Sequence, residues 1–214
     1  MQKIGMVSLG CPKNQIDAEV MLKKLEDAGF EITPVESEAD AIIVNTCGFI
    51  ESAKQEAIEN ILEVSAYKTD GNLKALIVTG CLAERYRDEI KEQMPEVDTV
   101  VGLAGNNDIV DIVKKALCGD GENVYGKKEE LVIEGDRMLT TPFYTAYIKI
   151  AEGCDNCCTY CAIPAIRGRY RSRYMQDILF EAGHLAESGV KELVVVAQDT
   201  TRYGKDLYGE PKLA

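Results

Sequence analysis

Residues 3–21 read Lys3-Ile-Gly-Met-Val-Ser-Leu-Gly-Cys-Pro-Lys-Asn-Gln-Ile-Asp-Ala-Glu-Val-Met21. The stretch opens on an apolar run, Ile4–Leu9, and breaks at Gly10-Cys11. It resumes with Ile16, Val20, Met21 and Leu25 at helical spacing. Asn14 stands where a helix N-cap would, with Asp17 three residues on. A strand that turns into a helix is the repeating unit of a parallel α/β domain, and the first 118 residues repeat it. Further strands are expected at Ala41–Asn45, Ala75–Val78 and Thr99–Val101, with a weaker one at Glu31–Val35. Ile58, Ile61 and Leu62 mark one intervening helix; Ile109, Ile112, Val113, Ala116 and Leu117 mark another. The pattern predicts an α/β fold with a parallel sheet of flavodoxin or Rossmann type over residues 1–118.

From Gly119 to Thr141 the periodicity dissolves into Gly-Asp-Gly-Glu-Asn and a Lys-Lys-Glu-Glu run, which reads as a linker (119–141) with a short strand at Leu131–Ile133. A second α/β unit (142–214) follows, with a strand at Ala146–Ala151, a helix at Met175–Ser188 and a strand at Glu192–Ala197. A chain of 214 residues that is 46% hydrophobic can bury a core, and 28% charged residues argue against global disorder. The net charge of -12 repels phosphate backbones, which disfavours nucleic acid as a general partner. The sequence contains neither a transmembrane run nor the apolar stretch of a signal peptide, so a cytoplasmic protein with no membrane partner is expected. In that reducing compartment eight cysteines point to metal or catalysis rather than disulfides.

Three of them form Cys154-x3-Cys158-x2-Cys161 on a loop directly after a strand. Three thiolates can hold three irons of a 4Fe–4S cube and leave the fourth iron open to a small molecule. A structural zinc site would want a fourth Cys or His nearby. The one histidine, His184, lies well down the chain inside a helical pattern and reads as an ordinary helix-face residue. Cys157 adjoins Cys158, and chain neighbours rarely reach one cluster together, so it reads as a non-ligand. This loop resembles that of the radical-SAM superfamily. The resemblance implies that the open iron chelates S-adenosylmethionine, that Tyr160 before the third cysteine belongs to the cofactor site, and that Gln198, after the second strand of the unit, contacts the cofactor.

Cys11, Cys47 and Cys81 are far apart in sequence, yet each lies just past the carboxyl end of an expected strand. In a parallel sheet those ends share one edge, where α/β folds place their sites. A glycine flanks each one: Gly10, Gly48 and Gly80. The alternative is three small buried apolar residues, a common fate of cysteine. Cys118, at a helix end, has no assigned role.

Both trios together resemble the methylthiotransferase family of radical-SAM enzymes. Val7–Asn14, Cys47–Glu56, Ile163–Gly168 and Ala197–Gly204 resemble its RimO type, which acts on an aspartate of ribosomal protein S-12, more than the MiaB type, which acts on tRNA. The resemblance implies two 4Fe–4S clusters held by the two trios, with S-adenosylmethionine as methyl donor and radical source. It further implies transfer of a methylthio group to the aspartate β-carbon, with S-12 or the small ribosomal subunit as partner and flavodoxin or ferredoxin as reductant. An acidic enzyme would be steered toward a basic substrate protein. The resemblance also implies a partial (β/α) barrel of which this sequence holds only the first strands. A non-catalytic iron–sulfur protein is the remaining alternative. Arg167, Arg169, Arg171 and Arg173 form a basic stretch after the loop, open to RNA, to a cofactor carboxylate or to salt bridges.

Overall fold

A computed structural model describes residues 1–131 and 135–213. The amino-terminal strands are β1 (Lys3–Ser8), β2 (Glu31–Ile32), β3 (Ala41–Thr46), β4 (Ala75–Gly80) and β5 (Thr99–Val100). They pair in the order β2-β1-β3-β4-β5, every pair parallel. This is the doubly wound order of the flavodoxin type, as expected. Because side chains alternate across a strand, Ile42 and Val44 enter one core and Ala41 and Ile43 the other. Helices cover both faces, which is why the central strands read as continuous apolar runs. Helices α1 (Pro12–Asp27) and α6 (Ile109–Leu117) close one face through Met21, Leu25, Ile112 and Val113. Helices α2 (Glu51–Ser65), α4 (Cys81–Tyr86) and α5 (Asp88–Gln93) close the other, and the short α3 (Tyr67–Asp70) leads into β4.

Two expectations are corrected. The N-cap of α1 is Cys11, and Asn14 is fully buried in the first turn, where its amide bonds to loop carbonyls instead of capping. Leu62 is 48% exposed; Ala57, Ile61 and Val64 are the buried stripe of α2. The strand expected at Leu131–Ile133 falls largely outside the described residues. Farther upstream in the linker, Val124 forms a single parallel bridge to Val101 beside β5.

In the second unit β6 (Thr145–Lys149) pairs parallel with β9 (Glu192–Val196), and α8 (Met175–Glu187) lies between them in sequence. An antiparallel ribbon, β7 (Ala151–Glu152) with β8 (Arg171–Ser172), frames the cysteine loop and the helix that follows it, α7 (Ile163–Arg167). Helix α9 (Lys205–Tyr208) packs beside β8, where Asp206 accepts hydrogen bonds from Ser172. Among the described residues no helix is long and apolar enough to cross a membrane.

Candidate metal centre

The sheet register brings Cys11, Cys47 and Cys81 to one edge. Ser8 lies opposite Asn45, and Thr46 opposite Gly80, so the three cysteines leave adjacent strands together. Gly10 has φ +97°, and a Cβ there would lie 2.6 Å from the Cβ of Cys47. Only glycine lets the first loop approach the second this closely. Cys81 is buried, Cys47 half-buried and Cys11 exposed, all as free thiols. Burial pushes the Cys81 thiol up, while the charge of Arg167 and its hydrogen bond pull the other way.

Asn14 organises the floor beneath them. Its Nδ2 donates to the carbonyls of Leu9 (3.1 Å) and Thr46 (2.9 Å), tying together the loops that carry Cys11 and Cys47. Its Oδ1 accepts from Arg167 Nη2 at 2.6 Å and from the Cys81 thiol at 3.6 Å. Asn45 Nδ2 donates to the Asn14 carbonyl at 2.6 Å, and Thr46 Oγ1 to that of Thr79 at 2.5 Å. Three soft donors, free of disulfides and held on one polar floor, are a donor set that fits an iron–sulfur cluster.

The second trio sits on the loop between β7 and α7. Cys154 is buried, with its N–H donating to the Gly168 carbonyl at 3.1 Å and its sulfur accepting from Asn156 N at 3.4 Å. Cys161 N donates to the Cys158 carbonyl at 3.0 Å; Cys158 is exposed and Cys161 half-buried. Asp155 Oδ1 accepts from Tyr170 N at 3.0 Å and clips the loop to β8. The Tyr170 hydroxyl donates to the Asp199 carbonyl at 2.9 Å and is pushed up to about 12, chiefly by burial. Three thiols on one loop likewise suit a cluster with one open iron. Among the described residues no three Cys, His, Asp or Glu side chains stand at the separations a single metal ion requires. A cube is a body of several atoms and takes its thiolates at wider spacing. Cys157 is exposed, as is Cys118 at the end of α6. Tyr160 is 86% exposed, and Gln198 is exposed at the bend after β9. His184 stacks on Phe180 along α8.

The two cysteine loops meet. Ile166 of α7 packs in one apolar cluster with Cys81, Leu103 and Leu131, with Ala162, the neighbour of Cys161, beside it. Behind this contact lies a buried ion network. Lys13 pairs with Glu152 at 2.9 Å and Lys149 with Asp17 at 2.7 Å. Arg167 reaches Glu152 at 2.9 Å and Asp17 at 3.0 Å. Burial opposes the charge on Glu152, but Arg167, Lys149 and Lys13 overrule it and hold the carboxyl well below the usual range. Burial likewise opposes the charge on Lys149, and Asp17 and Glu152 raise it nonetheless. Most of the basic stretch is therefore engaged inside the protein. Arg173 pairs with Glu181 and Arg171 binds the carbonyls of Lys128, Glu129 and Leu131, leaving Arg169 exposed. Sequence reading missed Lys13, Asp17, Lys149 and Glu152. A signal was present: Lys149 and Glu152 interrupt the apolar run of a strand, and Lys13 and Asp17 share a helix face beside Cys11.

Comparison with known proteins gives two findings. The model of a family described as uncharacterized protein family UPF0004 matches residues 3–102. Proteins from Desulforamulus reducens and Acetivibrio thermocellus, both named ribosomal protein uS12 methylthiotransferase RimO, are 54% and 55% identical to the chain. A third of that name, from Clostridioides difficile, is 54% identical. These matches cover 99–100% of the chain and 48% of each relative, so the chain spans about half the length of the curated relatives it matches.

Proposed function

We propose that this chain, which is similar along its whole length to proteins named ribosomal protein uS12 methylthiotransferase RimO and spans about half of theirs, belongs to the RimO type of the methylthiotransferase family and is the cluster-bearing half of a radical enzyme that places a methylthio group on the β-carbon of an aspartate in ribosomal protein S-12. The observation that carries this reading is the match along the whole chain to proteins named for that reaction. The gathering of the first trio at one sheet edge, and the packing of Ile166 from the helix after the second trio against Cys81, support it. In this reading residues 1–118 form a cluster domain, 119–141 a linker and 142–214 the start of a barrel.

Cys11, Cys47 and Cys81 would hold one 4Fe–4S cluster, and Cys154, Cys158 and Cys161 the other. Bound at the second trio with S-adenosylmethionine, the cluster supplies the one-electron chemistry that makes a hydrogen-abstracting radical. The chain's own residues do the positioning. The Asp155 and Gly168 contacts fix the second loop, Asn14 fixes the first, and α7 holds the two together. Such placement is the protein's contribution to chemistry that the cofactors perform. Tyr160 and Gln198, both exposed, would contact the cofactor. The substrate protein or the small ribosomal subunit, and a flavodoxin or ferredoxin reductant, complete the system in the cytoplasm.

The test is anaerobic reconstitution of the full-length protein, followed by incubation with S-adenosylmethionine, reductant and an S-12 peptide, with tRNA in parallel. Mass spectrometry is expected to find a methylthio group replacing one hydrogen on the peptide aspartate, with about eight irons per chain. Modification of tRNA instead, or about four irons, rejects the reading.

A further inference from the structure

Arg167 is 1% exposed and belongs to α7, directly after the second cysteine loop, yet its guanidinium lies in the first domain against Asn14, Asp17 and Cys81. The network around it is unbalanced. Among the described residues it contains three cations, Lys13, Lys149 and Arg167, against two carboxylates, Asp17 and Glu152, each side chain no more than 6% exposed. A purely structural strut has no use for a surplus charge, because a buried charge without a counter-charge costs several kcal/mol. The surplus also has a direction. Arg167 shares the Asn14 Oδ1 acceptor with the Cys81 thiol and is coupled electrostatically to both Cys81 and Cys11. A cluster held by three thiolates is anionic and becomes more so when it gains an electron, and nearby charge is a lever on its potential.

We propose that Arg167 is a positioning residue for the amino-terminal cluster: from the helix that follows the other cysteine loop, it supplies the positive charge against which the Cys11, Cys47 and Cys81 thiolates sit, and so ties that cluster's potential to the docking of the two loops. The inference rests on the reading that this trio holds a cluster. It assigns Arg167 no contact with substrate and no part in bond breaking. A cation at this point favours the reduced form, so removing it makes the cluster harder to reduce.

The experiment uses full-length protein in which Cys154, Cys158 and Cys161 are alanine, leaving the amino-terminal cluster alone, titrated with dithionite and followed by electron paramagnetic resonance. At the parent's midpoint, Arg167→Gln is expected to raise the oxidised-to-reduced ratio about tenfold, which is about 59 mV for a one-electron couple. Arg167→Lys, which keeps the charge, is expected to stay within about threefold of the parent. A Gln variant that loads iron with an unmoved midpoint overturns the proposal. Should that variant fail to load, Glu152→Gln decides: by enlarging the positive surplus it must move the midpoint upward, and an unmoved or lowered one overturns the proposal. If the parent itself binds no iron, the cluster reading fails and this inference fails with it.

Discussion

Asn14 engages both ends of its amide at the centre of the site, two donors to loop carbonyls and one acceptor shared by Arg167 and Cys81. Asn14→Ala removes this donor from both carbonyls, of which that of Thr46 is in a buried contact, and is expected to cost about 2–3 kcal/mol, measured by urea unfolding of the metal-free protein. Gly10 is sensitive for a different reason. Its positive φ strains any other residue, and a methyl group there meets the Cβ of Cys47 at 2.6 Å. Gly10→Ala is therefore expected to displace Cys47 and reduce iron from about eight to about four per chain. The control is Gly29→Ala, where φ is +90° but nothing lies within 4 Å of the added carbon. It carries the strain without the clash, and full iron retention there separates the two effects.

Among the elements, the start of the central strands is pinned by one carboxylate. Asp40, just before β3, accepts from Lys74 Nζ at 2.8 Å and from the backbone N–H of Lys3 at 2.8 Å, so it ties β3 to the starts of β4 and β1. The Lys74 hydrogen bond, then that from Lys3, holds its carboxyl below the ordinary value of 3.8. A carboxyl lowered in the folded state stabilises above its unfolded pKa and loses that contribution as pH falls through the folded one. Asp40→Asn is expected to cost under about 1 kcal/mol at neutral pH, the scale of a largely exposed ion pair. The gap from the parent should close as pH is lowered past 3.8, read from urea midpoints across a pH series. A gap that persists in acid would mean the carboxylate charge is not what pins the strands.

At the scale of the whole molecule, the charged face of α1 is the seam between the two units. Beyond the network at Arg167, Glu19 accepts from Arg137 at 3.1 Å with side chains 1% and 4% exposed, and Arg137 also reaches Glu181 of α8 and the Tyr147 carbonyl of β6. Thr140 adds two hydrogen bonds to the same glutamate. Removing one member strands a buried charge, so Arg137→Ala is expected to cost about 3–5 kcal/mol. Calorimetry should show the melt separating into two transitions as the seam loosens; a single unshifted transition would show that the seam carries no coupling.

Much of this was legible in the chain. Short apolar runs set between helical patterns located the strands near Ile4, Ala41, Ala75 and Thr99, because burial on both faces of a parallel sheet leaves a continuous apolar signature. Cysteines just past three strand ends pointed to one edge, since parallel strands share their carboxyl ends. Local pattern misled where tertiary contacts outweighed it: Asn14 looked like a cap because its chemistry suits one. The arginines after Cys161 were left open among RNA, a cofactor carboxylate and salt bridges, and Arg167 and Arg173 form salt bridges. What only the tertiary structure decided is the pairing of charges across the seam. Lys149 meets Asp17 across 132 positions and Arg167 meets Asp17 across 150. Periodicity reports which side of an element is buried; it carries no information about which distant charge will be buried against it, because that choice is made only when the two units dock.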